Sequence, residues 1–99
     1  MVDKGFFLGF IKVHILHHAS EEEIYGVEIL EELRKHGYSL SPGTLYPALH
    51  HLERQGYLKS RKEIVNGKVR KYYSITLEGL VMLEKSKMKI KELISEVLV

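Results

Sequence analysis

Between Ser41 and Arg54 the stretch "SPGTLYPALHHLER" gathers residue types suited to an anion and to the edges of aromatic bases. Ser41, Gly43 and Thr44 put small side chains and backbone N–H groups at a helix start, where free donors and the helix dipole both favour a phosphate. Gly43 also lets a phosphate backbone come close. Tyr46 offers a flat apolar ring with a hydroxyl tip. His50 and Arg54 follow it at helical spacing and can donate to base edges or phosphates. Tyr46 and His50 have a second reading, as packing groups beneath the segment downstream. That segment is basic: Lys59, Arg61, Lys62, Lys68, Arg70 and Lys71 stand against the single acid Glu63. Such a cluster fits a run of phosphates, and it also fits a solvated hairpin whose lysines blunt edge pairing.

Histidine forms a third group. His14 and His18 stand at i, i+4 with His17 beside them, so "HILHH" could turn two imidazoles to one helical face for a metal, with a symmetry mate completing the shell. No comparable carboxylate pattern accompanies them in the helix, and histidines near a helix C-terminus complement its dipole. The expectation is therefore no metal and no cofactor. His50 and His51 are adjacent and point about 100° apart on a helix, so they do not share an ion. There is no cysteine, no G-x-S-x-G and no G-x-x-x-x-G-K, and no spacing of Ser, His and Glu makes a triad; an enzyme is not expected.

These groups sit in a chain of 99 residues, enough for one domain with a modest core. Apolar residues make up 44% and charged residues 28%, which excludes a disordered chain. Lys plus Arg number 15 against 13 acids, so net charge says little; segregation of the charge says more, because glutamates gather at 21–23, 28, 31 and 32. No apolar run approaches the ~18 residues of a membrane span, and no small-residue cleavage site follows the N-terminal apolar stretch. A cytoplasmic protein without membrane contact is expected.

Periodicity places the elements. Gly5 to His18 is apolar almost all round, which fits a helix buried from two sides, the second side by a partner subunit. Ser20 followed by three glutamates reads as the cap of a second helix over Glu22 to His36, with Val27, Ile29, Leu30 and Leu33 inward and Gly37 closing it. Ser41 caps a third helix, with Leu45, Leu49 and Leu52 inward and Gly56 at its end. Both prolines fall in this helix. Pro42 suits the first turn, whereas Pro47 either breaks an internal hydrogen bond or marks a restart with Thr44 as a second cap.

From Tyr57 to Ile75 the period changes. Asn66-Gly67 between two β-prone runs is a hairpin signal, and a two-residue type I′ loop sets Val65 against Lys68, Glu63 against Arg70, Lys62 against Lys71, Ser60 against Tyr73 and Leu58 against Ile75. In that register Arg70 can neutralise Glu63, while Lys62 and Lys71 form a like-charge pair that an anion would relieve. Thr76 caps a last helix, Leu77 to Leu98, with a near-heptad run of Leu80, Leu83, Ile90, Leu93 or Ile94, and Val97. The expected fold is mainly α with a β-hairpin: a winged helix-turn-helix over residues 1–76 and a long C-terminal dimerisation helix over 77–99.

The segments "IYGVEILEEL", "SPGTLYPALHHLERQGYL" and "KVRKYYSITLEGLVML" resemble, in this order, the PadR family of bacterial and archaeal transcriptional regulators. The match runs from about Phe10 to Leu83, and its "GTLYPAL…LE…G" and "RKYY…T..G" parts are far more specific than a generic helix-turn-helix. The resemblance implies a homodimeric repressor on double-stranded DNA. It assigns Ser41, Thr44, Tyr46, Pro47 and His50 to the DNA-facing helix and Lys68, Arg70 and Lys71 to the wing; Gly43, Arg54 and Lys62 join them from the residue chemistry. The dimer is expected from the first and last helices, through Phe7, Phe10, Ile11, Leu83, Ile90, Leu93, Ile94 and Val97. Family members respond to phenolic acids or planar hydrophobic compounds; any effector pocket would have to lie at that interface, between Phe6–Ile15 and the last helix, and dimer core alone is the other reading of that apolar excess. Two features depart from the pattern: the acidic approach "SEEEIYG", and an end about 23 residues past Thr76, as in the short members. The rival readings are a winged helix that docks on an acidic protein, and a ligand- or metal-sensing dimer.

Overall fold

A computed structural model describes residues 4–99. In chain order it contains α1 (Lys4–Glu21), β1 (Ile24–Tyr25), α2 (Gly26–Lys35), α3 (Pro42–Arg54), β2 (Leu58–Val65), β3 (Lys68–Ile75) and α4 (Leu77–Val97). α1 buries Ile11, Ile15, Leu16 and Ala19 in the core and leaves Phe6 and Phe10 exposed, so one side is covered by the chain itself and the other is not. It also runs past the expected start of the next helix. Ser20 lies inside its last turn, where its hydroxyl donates to the His17 carbonyl at 2.6 Å and caps nothing. The reason is β1: Ile24 and Tyr25 are drawn into an antiparallel pairing with Tyr73 and Tyr72, which delays α2 to Gly26.

α2 turns Ile29, Leu30 and Leu33 inward, but Val27, expected beside them, is 57% exposed, because the buried stripe runs through Gly26, Ile29, Leu30 and Leu33 and the next residue after Gly26 points about 100° away from it. Its end is a Schellman turn. Gly37, at φ +91°, donates to Arg34 O at 3.0 Å, and Tyr38 donates to Leu33 O at 3.3 Å. α3 begins at Pro42 and runs unbroken through Pro47, so Thr44 is not a second cap; its N–H donates to the Ser41 carbonyl at 3.1 Å. Ser41 is the N-cap by backbone conformation, yet its hydroxyl accepts no capping bond. Pro47 has no N–H for the carbonyl of Gly43, four residues back, so one hydrogen bond of the helix is missing there. Leu45, Ala48, Leu49 and Leu52 fill the core, and Gly56 at φ +83° ends α3 with the same turn as α2.

The sheet order is β1-β3-β2. The β2–β3 register is the one the type I′ loop dictates, from Val65 opposite Lys68 down to Leu58 opposite Ile75, with Asn66 and Gly67 both at positive φ. The third strand, β1, is the element that sequence reasoning misses. Thr76 caps α4, its hydroxyl accepting from Gly79 N at 3.0 Å and donating to Gly56 O. Gly79 is needed there, since a Cβ would collide with the Tyr57 carbonyl oxygen.

α4 joins the core at Leu83, whereas Met88, Leu93, Ile94 and Val97 stand exposed along its second half. Two residues expected at a dimer seam are therefore placed differently. Ile11 and Leu83 are 1% and 3% exposed within the single chain, where α1 and α4 pack together, and offer a second copy no surface. The architecture is a winged helix-turn-helix with a projecting C-terminal helix.

Candidate functional site

α3 presents its outward residues to three adjoining hollows. Tyr46 and His50 face the wing, lining with Lys68, Arg70, Lys71 and Tyr73 an open groove of about 540 Å³ between α3 and the hairpin. Gly43 and Thr44 lie instead on the α1 side, beside Leu8 and Lys12, while Pro47 and Arg54 border both that side and a hollow shared with His50, Glu53 and Lys71. Ser41 lies at the helix start, its hydroxyl beside Gly43. Lys62 is exposed on β2. The expected recognition residues of α3 are thus spread over adjoining hollows, with Pro47, His50 and Arg54 linking the wing side to the α1 side.

The seat of Tyr46 is set by glycine. A Cβ on Gly26, the first residue of α2, would stand 2.5 Å from the Tyr46 ring and hydroxyl, so the absence of a side chain lets the ring lie over the start of α2. Tyr46 stays 39% exposed, so it is neither free nor buried under the wing. The helix entrance is less rich in donors than the sequence suggests. Pro42 has no N–H and Thr44 and Leu45 give theirs to the Ser41 carbonyl, which leaves the N–H of Gly43 without a backbone partner among the described residues.

The wing divides its charges between engaged and open ones. Lys71 donates to Glu53 of α3 at 3.2 Å, and Ser60 donates to the other carboxylate oxygen at 2.5 Å. The anion that relieves the Lys62–Lys71 pairing is therefore internal. The Ser60 hydrogen bond holds the Glu53 carboxyl below the usual carboxylate range; partial burial opposes this and Lys71 adds to it. Burial works against the charge of Lys71, but its bonds to Glu53 and Tyr73 outweigh that and raise its pKa.

On the opposite face of the hairpin, Arg61 makes two 2.8 Å hydrogen bonds to Glu23 and lies 4.6 Å over Tyr72. These bonds lower the Glu23 pKa and raise that of Arg61. Arg70 does not neutralise Glu63 as the register suggests. Its guanidinium lies 4.1 Å over the Tyr25 ring and 3.4 Å from the Tyr72 hydroxyl, while Glu63 pairs with Arg61 at 3.4 Å. The strand that the sequence hides supplies Tyr25, and with it the partner of Arg70. Glu23 is likewise beside the wing, not segregated from it. Among the described residues Lys62, Lys68 and Arg54 make no ion pair.

The histidines regroup as well. His17 turns to Glu21 at 3.4 Å, and His14 and His18 meet His36 from the end of α2, at ring-centroid distances of 4.9 and 6.0 Å. Burial, and then the neighbouring His36, His18 and His17, lower the pKa of His14. The Tyr38 ring stands edge-on to His14 at 5.4 Å.

Comparison with known proteins agrees with this architecture. A family model of PadR-like transcriptional regulators matches residues 15–85. The chain is 44% identical over 88 residues to the transcriptional regulator Rv3488 of Mycobacterium tuberculosis, covering 89% of this chain and 82% of that one. The crystal structure of a PadR-like transcriptional regulator from Bacillus cereus superposes with a TM-score of 0.83 at 33% identity, over 94% of this chain and 92% of the other. A PadR family regulator from Clostridium difficile gives 0.78 at 32% identity, over 92% of this chain and all of that one. Among the described residues no helix is long and apolar enough to cross a membrane. The matched helix-turn-helix, the wing and the projecting last helix belong to one chain in one order, and that chain is a member of the PadR-like family of transcriptional regulators.

Proposed function

We propose that the protein is a homodimeric repressor that occupies a pseudo-palindromic operator, placing α3 of each subunit in successive major grooves about 34 Å apart and the wings on flanking phosphates. The observation that carries this reading is the single groove in which Tyr46 and His50 of α3 meet Lys68, Arg70 and Lys71 of the wing. An apolar ring and an imidazole suit base edges, and the cations beside them suit the adjoining backbone. Arg70 and Lys71 already have partners within the chain, so Lys62 and Lys68 are the wing residues with undivided charge for phosphates.

The dimer of this proposal uses the exposed faces of α1 and α4. Phe10, Leu93, Ile94 and Val97 are between 46% and 69% exposed, and Phe7 and Ile90 border them half-buried. An uncovered apolar face of this extent at a helix pair suits a second copy of the chain. Phe7, Phe10 and Tyr38 line a hollow on the same side of the molecule, an aromatic setting that suits a phenolic or planar hydrophobic effector.

The test is binding of the purified protein to the DNA upstream of its own gene, titrated against salt and random competitor. Operator-preferring, steeply salt-dependent binding at two chains per site supports the reading. Binding that random DNA removes equally well rejects it. Ile94→Asp is expected to give monomers by sedimentation and poor operator affinity; retained dimers would place the seam elsewhere. Gly26→Ala puts a Cβ where the Tyr46 ring lies, so Tyr46 must move and preference among operators should change, at a stability cost of no more than about 1–3 kcal/mol for the overpacking.

A further inference from the structure

We infer that His14, His18 and His36 form a binding site for a first-row divalent cation such as Zn²⁺, with the carboxylate of Glu32 beside it. One ligand nitrogen from each histidine lies within 4.8 Å of the other two. Nitrogens on a tetrahedral zinc stand about 3.4 Å apart, as Zn–N bonds of about 2.0–2.1 Å require. The remaining distance is a matter of ring rotation, and His36, exposed at the C-cap of α2, has room for it.

Three further observations point to a cation. His18 Nε2 is buried with no hydrogen-bond partner among the described residues, an uncommon state for a polar atom and one that metal ligation would satisfy. Glu32 Oε1 lies 3.7 Å from His36 Nε2, where it can orient the ring or take the fourth position. The hollow against His18 is edged by Glu21, Glu22, Glu28 and Glu32, which makes its surroundings negative. Imidazole nitrogen with a carboxylate suits zinc and its late first-row neighbours, and the lack of cysteine disfavours softer ions.

The position of this site gives it a consequence. Two ligands come from α1 and the third from the turn that leads into α3, so a bound cation would tie the helix proposed for dimerisation to the entrance of the helix-turn-helix. The metal site does not depend on the DNA reading, since binding is measured without DNA.

The experiment is calorimetric titration of Zn²⁺ into tag-free, chelator-treated protein, with thermal unfolding followed alongside. One ion per chain is expected, with a rise in Tm. His36→Gln, at an exposed position, should weaken binding by at least about tenfold and abolish the Tm rise. His18→Gln should do the same, and His51→Gln, outside the cluster, should bind like the wild type. Absence of one-to-one binding in the wild type, or wild-type affinity in His36→Gln, would overturn the proposal. His36→Gln decides the matter even where His18→Gln fails to fold.

Discussion

At the root of the hairpin Leu58 and Tyr73 are buried in the core, and one step further out Lys71 and Ser60 are bound to Glu53. At its tip Ile64 and Val69 face each other across the strands at 75% and 68% exposure, with Lys62 and Lys68 nearby and without an ion pair among the described residues. The same two strands thus carry a root fixed to α3 and a tip, residues 64–69, that no side-chain hydrogen bond or ion pair among the described residues ties to the rest of the fold. Counting basic residues hides this division. Arg61, Arg70 and Lys71 hold the wing in place, and Lys62 and Lys68 are left to meet something outside.

Changes at the root should therefore cost stability, and the largest loss is expected at Tyr73. Its side chain is 1% exposed and sits where β1, β3 and β2 meet the core. Tyr73→Ala should destabilise the fold by about 3–5 kcal/mol in urea unfolding, through lost burial and the cavity left behind. A loss under about 1 kcal/mol would mean that the root is no more anchored than the tip.

Next in size is the link between α3 and the wing. Glu53→Gln keeps an acceptor for Ser60 but removes the charge that Lys71 meets, and about 1 kcal/mol is expected for this partly exposed pair. The pH dependence has a definite sign. The folded Glu53 carboxyl titrates below its unfolded value, so its contribution is complete above the ordinary carboxylate range and disappears as pH falls through the lower, folded value. The gap between wild type and variant should then close on acidification from about pH 7 to about pH 3, within the range where carboxylates take up protons. A gap that widens on acidification would remove Glu53 from the root.

What the sequence reveals and what it conceals differ by the range of the signal. Asn66-Gly67 sets the whole hairpin register because positive φ at two consecutive positions admits few residues and one loop geometry. Gly37 and Gly56 end their helices for the same local reason. Ser20 misleads because a serine ahead of glutamates reads as a cap, when tertiary pairing of Ile24 and Tyr25 with β3 decides where α2 starts. A strand of two residues has no period to detect. Tyr25 is consequently lost as the partner of Arg70, and with it the division between engaged and open charges. The seat of Tyr46 on Gly26 and the approach of His36 to His14 and His18 are contacts between elements, which spacing within one helix cannot register. Ile11 and Leu83 read as interface because an apolar stripe looks the same whether its own chain or a second copy covers it.

The smallest effect on stability, and the sharpest on function, is expected at the tip. Lys62→Ala and Lys68→Ala remove exposed side chains that make no ion pair among the described residues, so unfolding should shift by no more than about 0.5 kcal/mol. If these lysines meet phosphates, each lost contact lowers the slope of log K against log salt by about 0.9, and binding weakens on operator and random DNA alike. Lys71→Ala should behave in the opposite way, costing stability with a smaller change in slope, because its charge is already matched by Glu53. Operator titrations at several salt concentrations, with unfolding measured on the same preparations, separate the two classes. Equal slope changes from Lys68→Ala and Lys71→Ala would show that DNA draws Lys71 away from Glu53, and the root would then be a second phosphate contact that engages on binding.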